Sequence, residues 1–287
     1  MSATSQSPST PSLEPTSVPV HPAFDRPQPT GLEAIFRPRS VAVVGASRRP
    51  GSIGAAIFKN LLAHGFEGPV YPVNPAAPVV QSVMAWPTIG SIPGEVDLAI
   101  LAIPAKHVLA AVEACGQKGV KGVVIITAGF KETGPEGAAH EILVRDTARR
   151  YGMRVVGPNC LGVLNTEAGV QLDATFAPAW PPAGPIAFSS QSGALGLAIL
   201  ELATALNLGI SQFVSVGNKA DVSGNDLIEY WEQDEGTDVI LLYLESFGNP
   251  AKFTQIARRV ARKKPILAVK SGRTESGSRA RPTTGRA

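Results

Sequence analysis

This chain of 287 residues has only two cysteines and four histidines, and no apolar run approaching the ~18–20 residues that a membrane span requires. Cys115 and Cys160 are too few for a disulfide framework, and no Cys/His cluster has metal-ligand spacing, so no metal is expected and a reducing cytoplasm fits. Charge of one sign is also scarce. Lys and Arg number 26 against 23 Asp and Glu, and their scatter excludes the concentrated basic footprint of a nucleic-acid binder. The first thirty residues are rich in Pro, Ser and Thr, with no basic residue before Arg26, so they lack the features of a signal or transit peptide. Residues 1–30 read as a disordered leader, and the rest is long enough for two domains.

What is present begins with Val41-Ala-Val-Val44, a β-branched strand pattern that breaks into a turn holding Gly45, Gly51 and Gly54 and then a helix over Ala55–His64. Glycines allow close backbone approach, and a helix start offers free N–H groups and a positive dipole end. This is a cradle for a nucleotide-like anion. The spacing is Gly-x5-Gly-x2-Gly, however, and not the Gly-x-Gly-x2-Gly of dinucleotide enzymes. The following strand, Val70–Val73, ends in Asn74-Pro75 without the carboxylate that would hold a ribose diol. Two alternatives stay open: a βα turn whose glycines serve packing only, and an NAD-dependent oxidoreductase.

From Ser40 onward strands alternate with helices: Val41–Val44, Val70–Val73, Leu98–Ile103, Gly122–Thr127 and Arg154–Val156, with helices over Ala55–His64, Ala105–Cys115 and Glu136–Tyr151. Continuously apolar strands between helices predict a parallel sheet covered on both faces, with ligands at the carboxyl ends of the strands. Those ends carry Gly45-Ala46-Ser47, Asn74-Pro75, Ile103-Pro104, Thr127-Ala128-Gly129 and Gly157-Pro158-Asn159-Cys160, five loops that converge on one crevice. A first domain over residues 31–176 then meets a proline-rich linker, residues 177–185. The alternation restarts over residues 186–287, a second and smaller α/β domain. It opens on Ser190-Gln191-Ser192-Gly193 before a helix, which suits an anion or, equally, a plain N-cap cluster.

Taken in order, Val44-Gly-Ala-Ser47, Pro50-Gly-Ser-Ile-Gly54, Tyr71-Pro-Val-Asn-Pro75, Ile126-Thr-Ala-Gly-Phe130, Gly157-Pro-Asn-Cys-Leu-Gly162, Ser190-Gln-Ser-Gly193, Gly217-Asn-Lys-Ala-Asp221 and Lys270-Ser-Gly-Arg273 are specific. They resemble the α-type half of the NDP-forming acyl-CoA synthetases, which include ADP-forming acetate-CoA ligases and are relatives of succinyl-CoA synthetase. The resemblance covers about Gly31 to Ala280. It implies a Rossmann-like CoA-binding domain followed by a flavodoxin-like succinyl-CoA-ligase-type domain. It also implies coenzyme A phosphates on Gly45, Ala46, Ser47, Pro50, Gly51, Ser52, Ile53 and Gly54, with Asn74 and Pro75 alongside. The pantetheine arm would run past Ile103, Pro104, Thr127, Ala128 and Gly129 toward Pro158, Asn159 and Cys160. The reaction implied is acyl-CoA, ADP and phosphate to carboxylate, CoA and ATP, with ADP reached through an ATP-grasp partner subunit or domain.

In that family the phosphoryl group moves to a histidine, beside which Ser190, Gln191, Ser192 and Gly193 would hold it. Glu245, after the strand Val239–Leu244, matches the glutamate that faces this histidine and would orient the imidazole. A surface acid at a strand end is the plain alternative. Cys160 reads as a small buried thiol with no nucleophilic role. Two departures stand out. No histidine follows Ser271-Gly-Arg-Thr-Glu275, the four histidines being His21, His64, His107 and His140, which read as solvated or capping residues, and the lysine that relatives place after Asn-Pro is Ala76 here. Arg48 and Arg49 are the nearby cations. The sequence reads either as a shortened or frame-shifted copy of a longer synthetase, the favoured expectation, or as a complete subunit whose partner supplies the rest. In both cases the ligase cycle is expected to be incomplete in this chain alone, and a CoA-sensing module without chemistry is the rival.

Overall fold

The computed structural model describes residues 27–271. Residues 1–26, which hold most of the expected leader, and residues 272–287, where Arg273 and the expected end of the family motif fall, lie outside the described residues. After a single turn, α1 (Glu33–Phe36), the chain runs through β1 (Val41–Val44), α2 (Ile53–Ala63), β2 (Val70–Val73), a hairpin of β3 (Val79–Val80) and β4 (Val83–Met84), β5 (Leu98–Leu101), α3 (Ala105–Lys118), β6 (Gly122–Ile125), α4 (Pro135–Arg150) and β7 (Arg154–Val156). Strands without polar positions need cover on both faces, and β5 and β6 are buried at every residue. Outside the hairpin these strands form one parallel sheet in the order β2-β1-β5-β6-β7. The helix ends are chemically marked. Gly119, at φ +86°, closes α3, and Pro135 opens α4, where its missing N–H is not needed.

The second sheet is built from β8 (Gly162–Asn165), β9 (Leu172–Thr175), β10 (Ala183–Ser190), β11 (Ile210–Ser215), β12 (Val239–Leu244) and β13 (Ile266–Lys270), with α5 (Gly193–Ala205), α6 (Gly224–Gln233) and α7 (Pro250–Val260) between the last four strands. Its order is β13-β12-β10-β11-β8-β9; the first four run parallel, and β8 and β9 add an antiparallel edge. The sequence pattern predicts no strand over residues 162–175. By hydrogen bonding they belong to the second sheet, so the division between sheets falls after β7. The proline-rich stretch therefore joins two strands of one sheet, and its residues Ala183–Pro185 already lie in β10.

The two sheets share apolar packing: Phe36, Ile57 and Phe58 from the first lie in one buried cluster with Leu172, Ala174 and Trp231 from the second. Polar contacts cross the same boundary. Asn60 Nδ2 donates to the carbonyls of Thr175 (3.0 Å) and Ala177 (2.8 Å). The Asp221 carboxylate accepts from Arg154 Nε at 2.7 Å, Arg149 Nη2 at 3.0 Å and the Val155 N–H at 3.1 Å. Among the described residues no helix is long and apolar enough to cross a membrane, and no group of His, Cys, Asp and Glu has the arrangement of a metal site.

Candidate functional site

The glycines of the first turn are demanded by sterics. A Cβ on Gly45 would stand 2.3 Å from the carbonyl oxygen of Ala102, and one on Gly54 would stand 2.0 Å from that of Gly45. Only bare backbone lets the start of α2 sit this close to β1 and β5. The exposed part of the turn, Arg48, Arg49, Pro50 and Gly51, is held from within: Ser47 Oγ accepts the Arg49 N–H at 3.0 Å and Ser52 Oγ donates to the Arg49 carbonyl at 2.9 Å. Ser52 thus precedes α2 without capping it through its side chain. Asn74 secures the turn from β2, its Nδ2 donating to the Ala46 carbonyl at 2.7 Å while its Oδ1 accepts the Ala76 N–H at 2.8 Å, with Pro75 between.

Beside this turn opens a cavity of about 1260 Å³ between the two sheets. Of the residues singled out from sequence, Ile53, Ile103, Pro104, Thr127, Ala128, Asn159, Cys160, Gln191, Ser192, Gly193 and Glu245 line it. Gly45, Ala46, Ser47, Pro50, Gly51, Ser52, Gly54, Asn74 and Pro75 do not line it; they build the turn and its support. Gly129, Pro158 and Ser190 are likewise outside the lining, each next in sequence to a lining residue. β5 and β6 stop two residues short of the expected ends, Ile103 and Thr127, because both segments leave the sheet to form the cavity wall. Thr127 Oγ1 ties them together by donating to the Ile103 carbonyl at 2.6 Å. Asn159, at φ +58°, is anchored by its N–H to the Thr127 carbonyl at 2.9 Å.

Cys160 donates its thiol to the Ile125 carbonyl at 3.2 Å, and burial pushes that thiol up to about 12. It stays protonated at neutral pH and is no nucleophile. On the opposite wall, Ser192 Oγ accepts the N–H of Leu195 at 3.3 Å and caps α5, while Ser190 Oγ braces the same turn by donating to the Ser192 carbonyl at 2.6 Å. The first amides of a helix have no intrahelical carbonyl, and here Gly193 and Ala194 carry them into the cavity wall. Glu245 stands on the same wall at the end of β12.

Asn218, from the Gly217–Asp221 motif, belongs to a polar cluster at the cavity whose acids, Glu132 and Glu141, sequence reasoning missed. Glu132 Oε1 accepts the N–H groups of Gly129 (2.6 Å) and Phe130 (3.2 Å), and Oε2 accepts Asn218 Nδ2 at 2.6 Å. Burial alone would raise the Glu132 carboxyl, but these bonds from Asn218 and the backbone hold it below the ordinary range. Asn218 also donates to Glu141 Oε2 at 2.8 Å, and Lys131 Nζ donates to the Asn218 carbonyl. Lys131, Glu132 and Asn218 all line the cavity. His64 is the C-cap residue of α2, its N–H donating to the Asn60 carbonyl at 3.1 Å, and its ring stacks on Trp180 with ring centres 4.5 Å apart; His140, within α4, stacks on Phe130 at 5.2 Å. Among the described residues no histidine lines the cavity.

A parallel sheet with a glycine turn at its ligand end, joined to a flavodoxin-like sheet whose first helix points into the same cavity, defines a two-domain α/β protein of the CoA-ligase type. Residues 39–166 match a CoA binding domain, and residues 183–286 match a succinyl-CoA ligase like flavodoxin domain. The alpha subunit of ADP-forming acetate–CoA ligase I of Pyrococcus furiosus is 47% identical over 253 residues, 87% of this chain and 54% of that subunit. The ADP-forming 4-hydroxybutyrate–CoA ligase of Nitrosopumilus maritimus is 43% identical, over 86% of this chain and 35% of its own length. Among solved structures, the dinucleotide-forming acetyl-coenzyme A synthetase 1 of Candidatus Korarchaeum cryptofilum in complex with phosphate and ADP matches with a TM-score of 0.83 and 44% identity, covering 87% of this chain and 53% of that one. The chain belongs to the NDP-forming acyl-CoA synthetase family and corresponds to its α-type, N-terminal portion. It spans about half the length of the P. furiosus subunit.

Proposed function

We propose that the chain binds coenzyme A and acyl-CoA on its first domain and presents the thioester to phosphate held by its second, as the CoA-binding part of an ADP-forming acetate-CoA ligase. The observation that carries this reading is the shared cavity. The loops at Ile103, Thr127 and Asn159 line one space with the start of α5 and with Glu245. In this reading the CoA phosphates lie on the Gly45–Gly54 turn, and the pantetheine arm passes Pro104 and Ala128 toward Cys160. A phosphate oxygen held by Ser192 and Gly193 attacks the thioester carbonyl carbon, the C–S bond breaks, and CoA leaves as the thiol with an acyl phosphate behind. Fixed N–H dipoles and positioning are most of what such a transfer asks of a protein.

The second half of the cycle moves the phosphoryl group to a histidine, which Glu245 orients, and then to ADP on an ATP-grasp subunit or domain. Since none of the described histidines lines the cavity, this chain by itself is expected to form acyl phosphate without making ATP. Two buried free thiols agree with a reducing cytoplasm. The test is calorimetric titration of the purified chain with CoA, acetyl-CoA and NAD in parallel, followed by thiol release from acetyl-CoA on adding inorganic phosphate. CoA binding in the micromolar range with phosphate-dependent thiol release supports the reading. CoA binding without thiol release favours the sensing module, and NAD binding tighter than CoA overturns both.

A further inference from the structure

Residues 245 and 246 are gripped by two side chains from different loops. Gln191, 8% exposed between β10 and α5, accepts the N–H groups of Glu245 and Ser246 on its Oε1, both at 2.9 Å, and donates Nε2 to the Ser246 carbonyl at 2.7 Å. Lys219, in the loop from β11 to α6, donates Nζ to Ser246 Oγ at 2.6 Å and to the Ser246 carbonyl at 3.0 Å. Ser246 is the hub of five hydrogen bonds to the turn, four of which it makes itself. Both polar atoms of the Gln191 side chain are taken up by this turn, although the residue belongs to the Ser190–Gly193 motif at an anion-type helix start. The Lys219 backbone holds φ +58°, a conformation uncommon for a residue with a side chain, and this places its ammonium over the turn. Burial and the neighbouring Lys131 lower the Lys219 ammonium while the Glu245 carboxylate acts in the opposite sense, so Lys219 and Glu245 stand within electrostatic reach of each other.

The consequence concerns distance. A carboxylate beside a bound anion repels it by an amount set by their separation, and a glutamate on an untethered loop would not hold one separation. Resting on the reading of α5 as the phosphate site, we propose that Gln191 and Lys219 are positioning residues: they lock the 245–246 turn so that Glu245 stands at the mouth of α5, and they do not themselves contact the anion. Gln191 thereby links the two loops that must be in register, the one that begins α5 and the one that follows β12.

Two measurements on the full chain test this. By amide hydrogen exchange, Gln191→Ala should speed exchange at Glu245 and Ser246 about tenfold, the loss of one typical hydrogen bond, with the amides of β10 and α5 unchanged. Gln191→Glu keeps an oxygen that accepts both N–H groups but replaces the Nε2 donor to the Ser246 carbonyl with a second acceptor. Protection at residues 245 and 246 should therefore fall less than in the alanine variant, and Gln191→Glu also covers the case in which the alanine variant does not fold. The second measurement is a double-mutant cycle on affinity for inorganic phosphate, pairing Gln191→Ala, and separately Lys219→Met, with Glu245→Gln. Each positioning variant should change phosphate affinity severalfold in the Glu245 chain and leave it unchanged in the Glu245→Gln chain. Unchanged exchange at residues 245 and 246 overturns the proposal. So does an equal effect in both backgrounds, because Gln191 or Lys219 would then act on the anion directly. If the unaltered chain binds no phosphate at all, the assignment of α5 fails separately, and the exchange data decide whether the clamp on Glu245 exists.

Discussion

Gly45, Gly51 and Gly54 occupy one turn for different physical reasons, and the difference is measurable. Gly54 has an ordinary backbone angle but no room, since its Cβ would lie 2.0 Å from the Gly45 carbonyl oxygen, whereas Gly51 sits at φ +76° with nothing within 4 Å. Gly54→Ala must push α2 away from β1, and a destabilisation of about 3 kcal/mol is expected from such an overpacked contact. Gly51→Ala pays only for a left-handed backbone, about 1 kcal/mol. Urea denaturation of the two variants should show that order, and equal losses would mean that α2 can retreat freely. The glycine spacing was legible from sequence, as was the want of a ribose carboxylate at Asn74. The work of Asn74 in tying β2 to the Ala46 carbonyl was not, because a side chain that satisfies backbone looks the same in sequence as one that faces a ligand. The same holds for the Glu132–Asn218 contact, which joins residues 86 positions apart and has no local periodicity to announce it.

At the scale of elements, the parallel strands and their helices were legible because each is a continuous apolar run beside an amphipathic one. β8 and β9 escaped because buried polar residues, Asn165 in β8 and Asp173 and Thr175 in β9, leave neither a continuous apolar run nor an outward-facing alternation, and Asp173 is an acid inside the strand. That acid makes a prediction. Asp173 Oδ1 accepts the N–H and the hydroxyl of Thr175 at 3.1 and 2.7 Å, but Oδ2 is buried without a hydrogen bond, with His64 Nε2 of α2 lying 3.5 Å away. Burial raises its carboxyl from the ordinary 3.8 to about 7. Between those values the folded chain keeps a proton that the unfolded chain has released, so this contribution to stability is complete below about pH 4 and is lost as pH rises through 7. The slope is at most about 1.4 kcal/mol per pH unit for one proton. Burial lowers His64, whose titration acts in the opposite direction, so the comparison is made in a His64→Gln chain. There, adding Asp173→Asn should flatten stability between pH 4 and 7, and an unchanged slope would show that the carboxyl ionises freely.

For the whole molecule, the two sheets should behave as one cooperative unit, because the buried cluster containing Phe36, Ile57 and Trp231 belongs to neither sheet alone. Asp221 is the polar counterpart of that shared core. Its side chain, 6% exposed, comes from the second domain and is held by Arg149 and Arg154 and by the Val155 N–H from the first. Asp221→Ala would leave the half-buried Arg154 guanidinium with only Asp226, 3.2 Å from its Nη2, and would free a strand amide of β7. A loss of about 3 kcal/mol is expected from breaking a pair of this kind. The location of that loss distinguishes one unit from two. If the sheets unfold together, hydrogen exchange under native conditions should show the same fall in protection for the slowest amides of β5 and β6 and for those of β11 and β12. If protection falls only in the first sheet, the sheets open separately. The cavity between them would then be a hinge, and ligand binding across it would have to close it.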